Sequence, residues 1–136
     1  MKSNLPAFAQ THNPGPAQAN LTAACTMDGT GAKFLLKSGP RGAMVTKIVV
    51  TPRVTLAQQT GVVLFEALQH GAALAAKETG ALPQFTLTND GTIPRLQFSP
   101  SESEPIRLGP AAELWVGALV AAGGAGIDVT AEYTDY

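Results

Sequence analysis

The most regular alternation in the chain lies at its end. In IDVTAEYTDY, residues 127–136, Ile127, Val129, Ala131 and Tyr133 fall on one side and Asp128, Thr130, Glu132 and Thr134 on the other. A period of two with polar partners marks a strand that buries one face. Just upstream, AELWVGALV (112–120) is apolar in both phases, with Leu114, Val116, Ala118 and Val120 in one and Trp115, Gly117 and Leu119 in the other. That two-sided pattern predicts a central strand covered on both faces. The uncharged run around it, LWVGALVAAGGAGI (114–127), falls short of the roughly 20 apolar residues of a membrane span. Four of its fourteen residues are Gly, which are poor helix formers. It predicts a strand, a Gly/Ala turn and the start of the last strand.

From Leu21 onward, strand-like runs alternate with turn signals every eight to twelve residues, the spacing of a sandwich or barrel. LTAACTM and KFLLKS flank Asp28-Gly29-Thr30-Gly31, which predicts a hairpin because Asp-Gly suits turn positions with positive φ. MVTKIVVTP is rich in β-branched residues and ends at Pro52. GVVLFEALQHGAALAAKETG (61–80) has helix-forming Ala and Leu, but an interior Gly71 costs a helix about 1 kcal/mol, so two strands around His70-Gly71 are expected. QFTLTN (84–89) alternates as a strand, Asp90-Gly91 turns the chain, and IPRLQF follows with Pro94 pointing to an edge position. Thr26-x-Asp28-Gly29-Thr30 and Thr88-x-Asp90-Gly91-Thr92 share one pattern, read as similar turn chemistry rather than as duplication. Residues 1–20 contain Pro6, Pro14 and Pro16 and little periodicity, so they are expected to form an extended arm. Residues 21–136 are expected to form one domain. Leu5 and Phe8 are the arm's large apolar side chains. Such an arm is expected to be disordered alone and to lie on a partner in an assembly.

Composition adds a surface property. Charged residues are 14% of the chain, against roughly 25% in an average soluble protein. Much of the surface must therefore be neutral, which is easier to bury against neighbours than a Lys/Glu coat. Nine basic residues are scattered in a net charge of −1, leaving no footprint for a nucleic-acid backbone. The single Cys25 lies in an apolar run and reads as a buried, inert thiol. Residues 1–20 hold no apolar core of signal-peptide length, so synthesis in a cytoplasm is expected.

Catalytic patterns are sparse. GTGAK (29–33) lacks the spacing of a phosphate-binding loop, and His12 and His70 have no metal-ligand partner at i+2 or i+4. The serines at 38, 99, 101 and 103 have no G-x-S-x-G elbow. Glu102 with Glu104, and Asp128 with Glu132, fall where solvent should be plentiful, which is poor ground for general acid/base work. The expectation is a protein that is not an enzyme and has no cofactor or metal.

LTAACTMDGTGAKFLL, VTKIVVTPRVTLAQQTGVVLFEAL and IRLGPAAELWVGALVAAGGAGIDVTAEYTDY, taken in order, resemble the small β-sandwich proteins that decorate the capsids of tailed bacteriophages. The likeness is one of pattern over about 115 residues. It implies an all-β, antiparallel, jelly-roll-like sandwich, often trimeric, bound to the major capsid protein on the outside of the head. It implies no catalytic residues, no nucleic acid and no membrane as partner. The Ala-rich 67–77 segment and the Pro-containing arm depart from the family's commonest pattern. On this reading Leu5, Phe8, Arg41 and Arg53 are the candidates for capsid contact. Trp115 and Leu119, on the second face of their strand, are the candidates for contact between copies. The competing readings are another virion module (tail, fibre or head–tail component) and a carbohydrate- or host-surface-binding module.

Overall fold

The computed structural model describes residues 17–69, 71–98 and 106–135. These residues form nine strands and no helix: β1 (Ala17–Leu21), β2 (Lys33–Lys37), β3 (Ala43–Pro52), β4 (Thr60–Ala67), β5 (Ala75–Leu82), β6 (Leu96–Phe98), β7 (Ile106–Leu108), β8 (Glu113–Ala118) and β9 (Ile127–Asp135). All strand pairing is antiparallel. One sheet runs β1-β9-β3-β6 with β7 also on β3, and the other runs β2-β8-β4-β5. Their inner faces share one core, with Val45, Ile48, Val50, Ile127 and Val129 on one side and Val62, Leu64, Leu114 and Val116 on the other. Each such side chain contributes about 1.5–3 kcal/mol when taken out of water.

The β-branched run makes β3 the longest strand, and a bulge explains its burial pattern. Val45 pairs with Tyr133 and Lys47 with Glu132, leaving Thr46 as the extra residue. The slip lets Val45 and Ile48 both face the core although their positions differ by an odd number. A similar slip in β2, between Phe34 and Leu36, buries Leu35 and Leu36 together and turns Phe34 outward.

Strands β6 and β7 lie in line along one edge of β3, on Val50–Ile48 and Val45–Ala43 respectively.

The expected strands at 44–52 and 127–136 and the pair around residue 71 are present, the last as β4 and β5 in register from Thr60↔Leu82 to Glu66↔Ala75. Three expectations need correction. The Asp28-Gly29 turn forms, but it does not join a hairpin: β1 pairs with β9 and β2 with β8, in different sheets. Of LTAACTM only Leu21 is in a strand, and Ala24 makes an isolated parallel bridge to Ala118. QFTLTN is not a strand: Phe85 alone bridges to Leu56, by backbone bonds of 3.0 and 3.1 Å. Finally, Ala17–Asn20, assigned to the arm, belong to β1. Residues 1–16, with Leu5 and Phe8, lie outside the described residues.

Strand directions gather the connections 22–32, 53–59, 83–95 and 119–126 at one end and 38–42, 68–74 and 109–112 at the other. The first set is cross-tied. Ala122 and Gly123 donate to Thr22 O at 3.1 and 3.0 Å, Arg53 N to Gly126 O at 2.9 Å, and Leu87 N to Thr55 Oγ1 at 2.9 Å.

Candidate functional site

The outer face of the β2-β8-β4 layer carries the feature most unlike an ordinary solvated surface. Phe34 of β2 and Phe65 of β4 both stand opposite Trp115 of β8, so three aromatic residues form a row across the sheet. Their exposure changes along it: Phe65 is fully buried, Trp115 half-buried, and Phe34 46% exposed. The Phe34 and Trp115 rings meet edge to face, with centroids 5.6 Å apart and planes at 82°, a geometry that sets the positive edge of one ring on the negative face of the other. Trp115 Nε1 donates to Glu113 Oε1 at 3.2 Å, which gives the indole its polar partner and leaves its ring for packing.

The buried end of the row is roofed by the chain itself. After β1 the backbone crosses onto this face, where Cys25 N donates to Ala118 O at 2.8 Å. Cys25, Val63 and Phe65 form a second apolar cluster, with Ala32, Leu74 and Trp115 packed against it. Gly117 permits this roof because a Cβ there would run into Cys25 Sγ. Burial pushes the Cys25 thiol pKa up, with a smaller push from Asp28 and an opposing effect of its backbone hydrogen bond. Burial therefore favours the protonated thiol, the less nucleophilic form. The Asp28 turn holds the end of this segment in place. Its carboxylate accepts from the Thr26 hydroxyl and from Thr30 N at 2.9 Å, and these bonds, Thr26 first, lower its pKa to about 2.

Trp115 and Leu119 share this face, but Gly117, overlaid by Cys25, lies between them. Leu119 follows the end of β8, 37% exposed, with its N donating to Gly61 O at 2.8 Å. A Cβ on Gly61 would stand 3.0 Å from Leu119 Cδ1, so that side chain rests on bare backbone. Among the described residues, Trp115 is therefore covered by the chain on the Phe65 side and meets the exposed Phe34 ring on the other. Phe34 was not singled out from the sequence. The signal was present in FLL, where three successive apolar residues cannot all face one core without a bulge.

Arg41 and Arg53 flank opposite ends of β3, a ten-residue strand that spans roughly 30 Å at about 3.3 Å per residue. Both are exposed. Arg53 Nε lies 3.5 Å from Asp128 Oδ2, a surface pair worth about 0–1 kcal/mol. Asp128 also accepts from Asn20 Nδ2 at 2.9 Å. The outer face of the other sheet is polar. A shallow depression of about 250 Å³ is lined there by Lys47, Val49, Thr130 and Glu132. Among the described residues no group of three His, Cys, Asp or Glu side chains is placed to hold a metal ion, and no helix is long and apolar enough to cross a membrane. Glu102, Glu104, His12 and His70 lie outside the described residues.

Comparison with family models, with curated proteins and with solved structures yields no match to this chain.

Proposed function

We propose that this chain is a structural virion protein, a jelly-roll sandwich that decorates the outside of a phage head as a homo-oligomer, and does no chemistry. The observation that carries the assembly reading is the Phe34–Trp115 pair, an aromatic edge that no described residue covers, at the rim of a face whose other half the chain covers itself. Rigid aromatic anchors of this kind supply much of the energy of protein interfaces.

The strand order supports the jelly-roll part. With β6 and β7 taken together as one interrupted strand, eight strands divide between two four-stranded sheets in the orders β1-β9-β3-β6/7 and β2-β8-β4-β5, with only β4 and β5 as a consecutive pair in one sheet. This is how two interleaved Greek keys lie in a jelly roll. The head-decoration part rests on the sequence-level resemblance, together with the low charge that suits a surface made for burial. The mode of action is mechanical. Each copy adds modest contact area across neighbouring capsid subunits, and repetition over the lattice multiplies it through avidity.

Two measurements test the reading. Mass spectrometry of purified particles should find the chain in many copies per head and accessible to surface labelling; its absence from particles would overturn the assignment. Sedimentation of the isolated chain should show an oligomer that Trp115→Ala dissociates. An unchanged oligomer and unchanged stability would remove Trp115 from the contact.

A further inference from the structure

The two Thr-x-Asp-Gly-Thr segments fold differently, and the difference has chemical consequences. At Asp28 the carboxylate is pinned by the Thr26 hydroxyl and the Thr30 amide. The Gly29 amide is engaged as well, donating to Thr26 O at 3.0 Å. Gly29 is buried, with φ +92, and a Cβ there would come within 2.8 Å of Leu74 Cβ. At the second copy Thr88, Asp90, Gly91 and Thr92 are all exposed. Among the described residues no hydrogen bond holds the Asp90 carboxylate or the Gly91 amide. The Thr88 hydroxyl instead sits against Gly91, where a Cβ would collide with it.

Asp-Gly is the sequence in which a backbone amide most easily attacks the preceding side chain, because glycine offers no Cβ to obstruct the approach. The Gly nitrogen bonds to the Asp carboxyl carbon, the nitrogen loses its proton, and the carboxyl hydroxyl leaves with that proton as water. The cyclic imide then takes up one water. Opening at one carbonyl restores Asp, and opening at the other gives isoaspartate, with the main chain routed through the side-chain carbon. No oxidant or co-reactant is needed. The attack requires the peptide plane to swing so that the nitrogen faces the carboxyl carbon, and it proceeds through a neutral carboxyl group.

We propose that Asp90 is a site of spontaneous isoaspartate formation in the folded protein and that the same dipeptide at Asp28 is protected by its turn. Three features block Asp28: its carboxylate is held by two donors, its nucleophile is engaged, and its glycine is packed under Leu74. None of the three applies at Asp90. The product adds one carbon to the main chain between the Leu56–Phe85 bridge and β6, which is held to β3 by only three paired residues.

The test is to age the native chain in mildly acidic buffer and map its peptides by fragmentation that separates Asp from isoaspartate, with methyl transfer by an isoaspartyl methyltransferase as a second readout. The peptide containing Asp90 should accumulate isoaspartate and an imide lighter by one water, severalfold faster than the peptide containing Asp28. In denaturant the two sites, both followed by Gly-Thr, should age at similar rates. Asp90→Glu should abolish the product at that position, and Thr26→Val should raise it at Asp28. Equal ageing of both sites in the folded chain, or faster ageing at Asp28, would overturn the proposal.

Discussion

Thr130 and Phe65 occupy the same kind of position: each sits on an interior strand and points away from the shared core. Yet Thr130 is exposed and Phe65 is fully buried. The β9 residue is exposed because no described residue crosses its side of the sheet, and its neighbours Lys47 and Glu132 are suited to that. The β4 residue is buried because the 22–32 segment and Leu74 lie over it. A sandwich strand with apolar residues in both phases thus signals a third layer, and here the chain supplies part of that layer itself. Among the described residues, Phe34 and one side of Trp115 are left uncovered.

The sharpest way to break this contrast is to empty the two positions. Phe65→Ala should destabilise the domain by about 3–5 kcal/mol, a loss typical of a buried aromatic, while Thr130→Ala should stay within about 0.5 kcal/mol. Urea unfolding of the two variants decides it. A loss below 1 kcal/mol for Phe65→Ala would mean that the roof is only loosely seated. Gly117→Ala attacks the roof directly, because its Cβ meets Cys25 Sγ. A cost of about 1–3 kcal/mol is expected for overpacking, together with faster labelling of the Cys25 thiol by a disulfide reagent. Unchanged labelling would show that the segment accommodates the methyl group in place. Phe34→Ala should change monomer stability by only about 0.5–1.5 kcal/mol, the value of an edge-to-face pair, yet weaken self-association measured by sedimentation velocity. If association survives, the open end of the aromatic row is not the contact.

The smallest effect belongs to the Asp28 turn. Its pKa is lowered from 3.8 to about 2 in the folded chain, so the ionised carboxylate stabilises the fold at pH values above 3.8. That contribution disappears as the pH falls through about 2. Asp28→Asn should flatten the acid limb of the stability profile measured by denaturant titration, and a limb identical to wild type would assign the acid sensitivity to other carboxylates.

Those contrasts also mark what the amino-acid pattern made legible. Strands β3 and β9 were readable from β-branching and clean alternation, and β4 and β5 from the glycine between them. The two-sided apolarity of β8 correctly required cover on both faces. What covers the second face was not readable, because AACTM has the same apolar character whether it pairs as a strand or lies over a sheet. QFTLTN alternates as well as any strand, yet β3's free edge is taken by β6 and β7, and only Phe85 finds a bridge. Ala17–Asn20 escaped notice for the opposite reason. They carry no large apolar side chain, and their strand character comes from register with β9, a property of the distant partner.

That last pairing also sets a timetable. Ala17 is in register with Ala131, and β9 is the strand that joins β1 to β3. A ribosome must therefore make β1 long before it makes the strand that holds it. At about 5–20 residues per second, Ala17 waits roughly 6–23 s for Ala131 to be polymerised. Until then β3 lacks its main neighbour and the sheet has no centre. The sheet consequently cannot close before Ile127–Asp135 has been made, and a chain truncated before Ile127 should be handed to chaperones or proteases rather than fold to a smaller sandwich.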